Sequence, residues 1–425
     1  MKFDTLRALR HRNFRLYFFG QGVSLMGTWM TRLATSWLVY RLTGSSVLLG
    51  VVGFAGQIPT FLLGPVAGVW VDRCDRRLVI MVTQVLAAAQ SLALAGLVLF
   101  GHITTAEIIW LSIFQGVINA FDLTARQSFL VQMVGGTADL GNAIALNSTL
   151  VNVARVVGPA LAGVTIGLVG EGYCFLIDGI SYFAVIASLI AMRVGGEPPP
   201  KPKTTMLVQL REGWSYVSTF LPIRTVMLLF AIISFMGVPY SVLLPVFAAQ
   251  ILHGGPHTLG LLSGAAGLGA LASALTLAGR KSIRGYYRLI PISAVLMGVG
   301  LAAFAYSSTL WLSLLFLVFA GYWMIMAYSA SSTVIQTIVD NEKRGRVMGY
   351  WMMCYMGASP LGSLLAGALA PMIGVPGTVA LCGSGCIFGG IWFWLQLPRL
   401  RPIIRPIYVR LGILPADEGP PAQPA

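Results

Sequence analysis

Six ionisable residues interrupt the apolar runs of this sequence: Arg32, Glu107, Asp122, Arg126, Arg155 and Asp178. A charge at the centre of a bilayer costs about 2.5–3.5 kcal/mol on insertion scales, so such residues face the protein interior and mark proton or ion paths. The acids offer proton transfer and the arginines offer anion recognition. Asp122 and Arg126 stand one helical turn apart on nearly one face. They read as a structural ion pair, or Asp122 reads as a proton-carrying acid whose pKa Arg155, at similar depth in the next run, lowers when the two approach. Asp178 is the reserve proton carrier. Arg32, in the stretch WMTR, is placed to hold an anionic group of a ligand or to pair with Asp178. Glu107 falls at the edge of its run and is the weakest of the set. Arg155 raises its own question: it lies in NVARVVGPALAG, residues 152–163, just before the helix-weakening pair Gly158-Pro159.

The elements that must carry these residues are membrane helices. The chain of 425 residues is 56% hydrophobic and 10% charged, where a soluble domain carries about a quarter charged residues. Its mean hydropathy is +0.80. With about 20 apolar residues per span, charges and turn residues divide the chain into twelve: roughly 14–40, 46–71, 78–100, 106–131, 141–168, 172–192, 220–250, 258–279, 287–306, 309–338, 346–373 and 376–397. The first run is too long for the core of a signal peptide and reads as a retained span. Placing both termini on one side gives that side 25 of the 28 Lys and Arg residues. The positive-inside rule then puts both termini in the cytoplasm, with the chain in the inner membrane. The net charge of +14 follows from this topology and needs no nucleic-acid partner.

A proline-rich stretch, EPPPKPKTT, lies in the longest internal connection, residues 193–219. It divides the chain into a six-span half (1–192), a cytoplasmic linker (193–219), a second six-span half (220–398) and a cytoplasmic tail (399–425). The halves echo each other: Leu130-Val131-Gln132 returns as Val334-Ile335-Gln336, and Gly158-Pro159 as Ser359-Pro360. Repeated halves are the mark of a rocking secondary transporter with its site between them. They argue against a channel. No P-loop, HExxH or GxSxG occurs, so neither an ATP engine nor an enzyme is expected, and the proton gradient stands in for a cofactor. The five cysteines form no CxxC pair, and Cys382 and Cys386 read as helix packing. His253 and His257 flank a Gly-Gly-Pro turn, and no metal site is expected. Trp29, Trp37, Tyr240, Trp323 and Tyr328 line a cavity for an aromatic ligand or belong to interface belts and lipid-facing packing.

Between spans 2 and 3 the sequence reads GVWVDRCDRR, residues 68–77. It resembles the loop 2–3 motif of the major facilitator superfamily at Gly68, Asp72, Arg73, Arg76 and Arg77. It departs at Asp75, where the family has glycine. The resemblance implies a cytoplasmic-side charge network that holds the outward-open state and breaks on rocking. Gly68 would let two helices approach, and Asp75 adds a carboxylate for Arg76 or Arg77. Within span 5, Ala145, Ala154, Gly158, Pro159, Ala162 and Gly163 resemble the motif of the superfamily's proton-linked exporters. Small residues every four positions let span 5 lie against a neighbour, and Pro159 bends it.

From about Leu6 to Leu397 the chain is similar to the exporter branch that includes the enterobactin exporter and the macrolide efflux proteins. FDLTARQSFLVQMV at 121–134 and the NxxRxxGP pattern at 152–159 carry this likeness, with Thr124 in place of a common proline. The resemblance implies an all-α fold of twelve spans in two pseudo-symmetric halves. It also implies a monomer in lipid that exports a small molecule, a siderophore first and a macrolide-type drug second, by proton antiport. An importer is the rival within the superfamily.

Overall fold

The computed structural model of the chain describes residues 4–134, 136, 139–193, 206–280, 282–340 and 343–414. No strand occurs among these residues; the protein is a bundle of long helices. Spans 1 to 6 are Arg12–Thr43, Ser46–Val71, Arg76–Leu99, Thr105–Met133, Leu140–Val169 and Glu171–Ala191. Spans 7 to 10 are Leu221–Ile251, Pro256–Ala278, Tyr286–Ala305 and Leu310–Ile338. Spans 11 and 12 share the stretch Arg344–Arg410, which breaks at Gly374, where φ of 77° and ψ of 159° favour glycine. The expected edges lie within a few residues of these. Among the described residues ten stretches are long and apolar enough to cross a bilayer. Span 1 is less apolar because it carries Arg12, Arg15, Arg32 and Arg41.

Two segments outside the spans, in the linker and the tail, are also helical. Residues Met206–Thr219 form a helix that docks on the start of span 11: Trp214 lies 5.9 Å from the Tyr350 ring, and the Lys343 ammonium lies 4.5 Å from the Tyr216 ring. The proline-rich stretch before it lies outside the described residues. The tail continues span 12 as helix through Arg410, burying Leu400, Ile404 and Tyr408 at four-residue spacing while Arg399, Arg401 and Arg410 stay exposed. That stripe is what keeps the segment on the bundle.

The two halves repeat one set of neighbours. Span 1 packs on spans 5 and 6, span 2 on span 4, and span 3 on span 6. The second half does the same at glycines: Gly362 of span 11 meets the Phe235 carbonyl of span 7, Gly385 meets Met236, Gly269 of span 8 meets span 10 at Val318, and Gly383 of span 12 meets the Gly298 carbonyl of span 9. Lipid supplies no hydrophobic force between helices, so close backbone approach is what holds them. Span 7 carries single π-helical turns at Ile233–Gly237 and Phe247–Ile251, a distortion frequent at functional sites.

Candidate functional site

The glycines of spans 2, 5, 8 and 11 record how the halves meet. A methyl group at Gly50 would lie 2.7 Å from the Ser363 carbonyl, and one at Gly367 would lie 2.7 Å from the Ser46 carbonyl. One at Gly260 would lie 2.7 Å from the Pro159 carbonyl, and one at Gly163 would lie 2.9 Å from that of Pro256. These two seams, span 2 on 11 and span 5 on 8, run on the face opposite the termini. They end near mid-depth, where Gly357 meets the Phe61 ring and Gly267 meets the Arg155 carbonyl. On the termini-bearing side, a side chain added at Gly64, Gly141, Gly345 or Gly349 would meet no atom within 4 Å. The halves therefore enclose a cleft that is shut on the far face and open on the face carrying both termini.

Arg155 sits where the span 5–8 seam gives way to this cleft. Its guanidinium lies 5.2 Å from the centre of the Trp29 ring, and that of Arg32 lies 4.9 Å from the same ring. Span 1 comes close enough for this because Gly158 has no side chain; a methyl there would lie 2.5 Å from Trp29 Cβ. Neither arginine has a carboxylate partner among the described residues, and Arg155 Nε is buried without an acceptor. The second half presents the half-buried rings of Tyr328 and Tyr355, backed by Phe230 and Trp351, which are buried. Phe230 stacks on Trp351 at 3.7 Å, with Tyr328 at 5.5 Å and Tyr355 at 5.9 Å from Phe230. One half thus brings cations and the other brings tyrosines.

The acids are placed elsewhere. Asp122 bonds Arg126 at 2.5 Å and accepts from Thr83 Oγ1 and Gln84 Nε2, both at 2.9 Å. It forms the expected i,i+4 pair, braced by span 3, and in this structure Arg155 is not among its partners. Asp178, 2% exposed, accepts from Ser91 Oγ at 2.7 Å and Thr31 Oγ1 at 2.9 Å. Both hydroxyls meet Oδ2, Oδ1 is buried without a partner, and Arg32 makes no ion pair with this carboxylate. Gly27 makes room for Asp178, for a methyl there would lie 2.7 Å from Oδ1. Glu107 closes a capping box with Thr104 at the start of span 4.

With that geometry in hand, the likeness to known proteins has a direct reading. A family model described as transmembrane secretion effector matches residues 4–402. The chain belongs to this family of major facilitator superfamily exporters. The staphyloferrin A transporter of Staphylococcus aureus is 24% identical over 387 residues, covering 91% of this chain and 96% of that one. The multidrug efflux pump Tap of Mycolicibacterium fortuitum is 26% identical, covering 89% and 93%. Macrolide efflux protein A of Streptococcus pyogenes is 23% identical, covering 88% and 95%. Among solved structures, a bacterial homologue of the human lysosomal transporter Spinster, inward-facing and unoccupied, shares the fold at TM-score 0.65 and 14% identity, covering 96% of this chain and 99% of that one.

The exporter's two motifs can now be placed. In span 5, Ala154, Gly158 and Ala162 form a buried row with Gly158 against span 1, while Pro159 and Gly163 form a second row against span 8. Ala145, further toward the open end, is exposed. In loop 2–3, Asp72 faces Arg76 at 3.7 Å, Arg76 donates to the Ser128 carbonyl at 3.5 Å and Arg77 donates to that of Ile190 at 3.2 Å. Arg73 is exposed. Asp75 does not pair with the arginines. It caps span 3, accepting from the Arg77 and Leu78 amides at 2.9 and 3.4 Å. Gly68 is no tight crossing either, because a methyl there would find only Thr124, at 3.9 Å.

Of the aromatic candidates, Trp29 lies under both arginines and Tyr328 is half-buried beside Tyr355, whereas Tyr240 is buried. Trp37 pairs with Tyr40 at 6.1 Å and Trp323 with Tyr322 at 5.1 Å. His257 rests on Gly167 of span 5, and no metal-holding cluster of His, Cys, Asp or Glu occurs among the described residues. Sequence reasoning missed Phe230, Trp351 and Tyr355. It also passed over the pair formed by Arg41 and Glu171, at 2.7 and 3.3 Å, which ties the far ends of spans 1 and 6. The cue for that pair was a lone basic residue outside the cytoplasmic set and one acid opening span 6.

Proposed function

We propose that this exporter carries a small anionic molecule, a siderophore in first place, out of the cytoplasm by alternating access. The observation that carries the reading is the Arg32–Trp29–Arg155 group, two guanidiniums without an acid at the head of the cleft. Two cations without an acid, one half-buried and one exposed, attract anions and repel an amine-bearing drug. With both termini in the cytoplasm, the open cleft is an inward-facing state ready to load. The seams of spans 2–11 and 5–8 form the outer gate. Loop 2–3, tied within its own half here, is free to engage span 11 when the halves rock.

Protons drive the cycle through Asp178. Protonating Asp122 would leave Arg126 unmatched, whereas Asp178 has only hydroxyl partners and can lose its charge without stranding a cation. The protein works as a monomer in lipid. A macrolide-type or multidrug cargo is the second reading, favoured by the half-buried rings of Tyr328 and Tyr355. The test compares spent medium from deletion and wild-type cells under iron limitation. Loss of an extracellular anionic chelator supports the proposal. An unchanged medium with new drug sensitivity transfers the function to the second reading.

A further inference from the structure

We propose that Arg32 and Arg155 each bind a carboxylate of one cargo molecule, so that the transported class is a di- or tricarboxylate, with Tyr328 and Tyr355 of the second half closing over its middle. This rests on the reading that the cleft is the cargo site, and it narrows the chemistry of what enters.

Both guanidiniums keep unmet donors. A guanidinium has five N–H groups in a planar fork and cannot shed its charge. Arg155 keeps Nε buried without an acceptor, and Arg32 has no acid within ion-pair distance. Arg155 is half-buried and Arg32 is exposed, and both lie against Trp29, but a ring face takes no hydrogen bonds. The donors therefore await planar, charged acceptors, and the carboxylate is the group whose two oxygens match the fork. Two forks are present, both turned to one ring. Each guanidinium carbon is about 5 Å from that ring centre, so the two lie no more than about 10 Å apart. A branched di- or tricarboxylate spans such a gap.

Competing chemistries fit less well. A metal-free catechol keeps its hydroxyl protons at neutral pH and brings no charge to two cations. An amine-bearing macrolide brings the wrong sign. In the second half, the half-buried Tyr328 and Tyr355, 6.0 Å apart, offer hydroxyls and ring faces, which suit the hydroxyl and hydrocarbon parts of a carboxylate skeleton. No carboxylate of the protein competes there, since Asp122 and Asp178 are both bonded away from the cleft head.

The test is calorimetric titration of the purified full-length protein in nanodiscs. The probes are tricarballylate, its neutral triamide, a neutral bis-catecholamide, inorganic phosphate and erythromycin. Tricarballylate is expected to bind while the triamide does not. Arg32→Gln and Arg155→Gln are each expected to weaken binding at least tenfold, with Arg155→Lys falling between, and thermal melts confirm that each variant is folded. The proposal is overturned if tricarballylate binds no better than its triamide. It is also overturned if neither glutamine variant weakens binding, or if phosphate, the catecholamide or erythromycin binds more tightly. Its failure is separable from that of the siderophore reading. Arginine-dependent tricarballylate binding with an unchanged iron-limited medium removes the siderophore and keeps the carboxylate site. Loss of a neutral catecholate from the medium without tricarballylate binding does the opposite.

Discussion

Asp122 and Asp178 are both acids at membrane depth, and their neighbours separate their roles. Asp122 is locked to Arg126, so Asp122→Asn leaves a buried cation without its partner. Breaking a buried pair in this way costs about 3–5 kcal/mol, and a lower melting temperature of the purified variant is the expected result. Asp178→Asn keeps the hydroxyl contacts and removes the proton site. We expect it to stay folded and to lose efflux driven by a pH gradient in everted vesicles, while cargo binding persists. Gradient-driven efflux that survives in Asp178→Asn would return the proton to Asp122. The sequence made these residues visible as charges in apolar runs. It could not show their partners, because Thr31 comes from span 1 and Ser91 from span 3, and only the packing of three helices brings those hydroxyls to one carboxylate.

At the scale of the helix, span 5 does two jobs on two rows of small residues. Gly158 admits the Trp29 backbone of span 1, and Gly163 admits Gly260 of span 8. Leucine at position 158 overpacks a seam inside one half, at about 1–3 kcal/mol, and displaces the ring on which both arginines lie. Loss of thermal stability together with loss of cargo binding is the expected pair of effects. Leucine at position 163 instead wedges the outer gate. Labelling of a cysteine placed in the cleft by a membrane-impermeant thiol reagent added outside should then rise several-fold, with the melting temperature of the half little changed. The spacing of these residues was legible because four-residue periodicity survives in any helix. Which row faces which neighbour was not, since a periodic stripe carries no record of its partner. Asp75 teaches the same lesson: its charge suggested a salt bridge, whereas its position just before a helix start makes it a cap.

For the molecule as a whole, twelve spans and their pseudo-symmetry followed from hydropathy, basic-residue bias and the paired Gly-Pro and Ser-Pro steps. The aromatic group of the second half did not, because Phe230, Trp351 and Tyr355 are indistinguishable in sequence from the many aromatic residues that face lipid. Rocking of the halves makes a further demand: Ser46 and Gly367, joined across the outer seam at 3.3 Å, must part in each cycle. A disulfide between cysteines at these two positions should abolish export, and reduction should restore it. The most direct measurement of the central claim is the anion profile of iron-limited spent medium from a deletion strain carrying the wild-type, Arg155→Lys or Arg155→Gln allele. The account predicts that a secreted anionic chelator is present with the wild-type allele, reduced with Arg155→Lys and lost with Arg155→Gln. An identical profile across the deletion strain and all three alleles would contradict it.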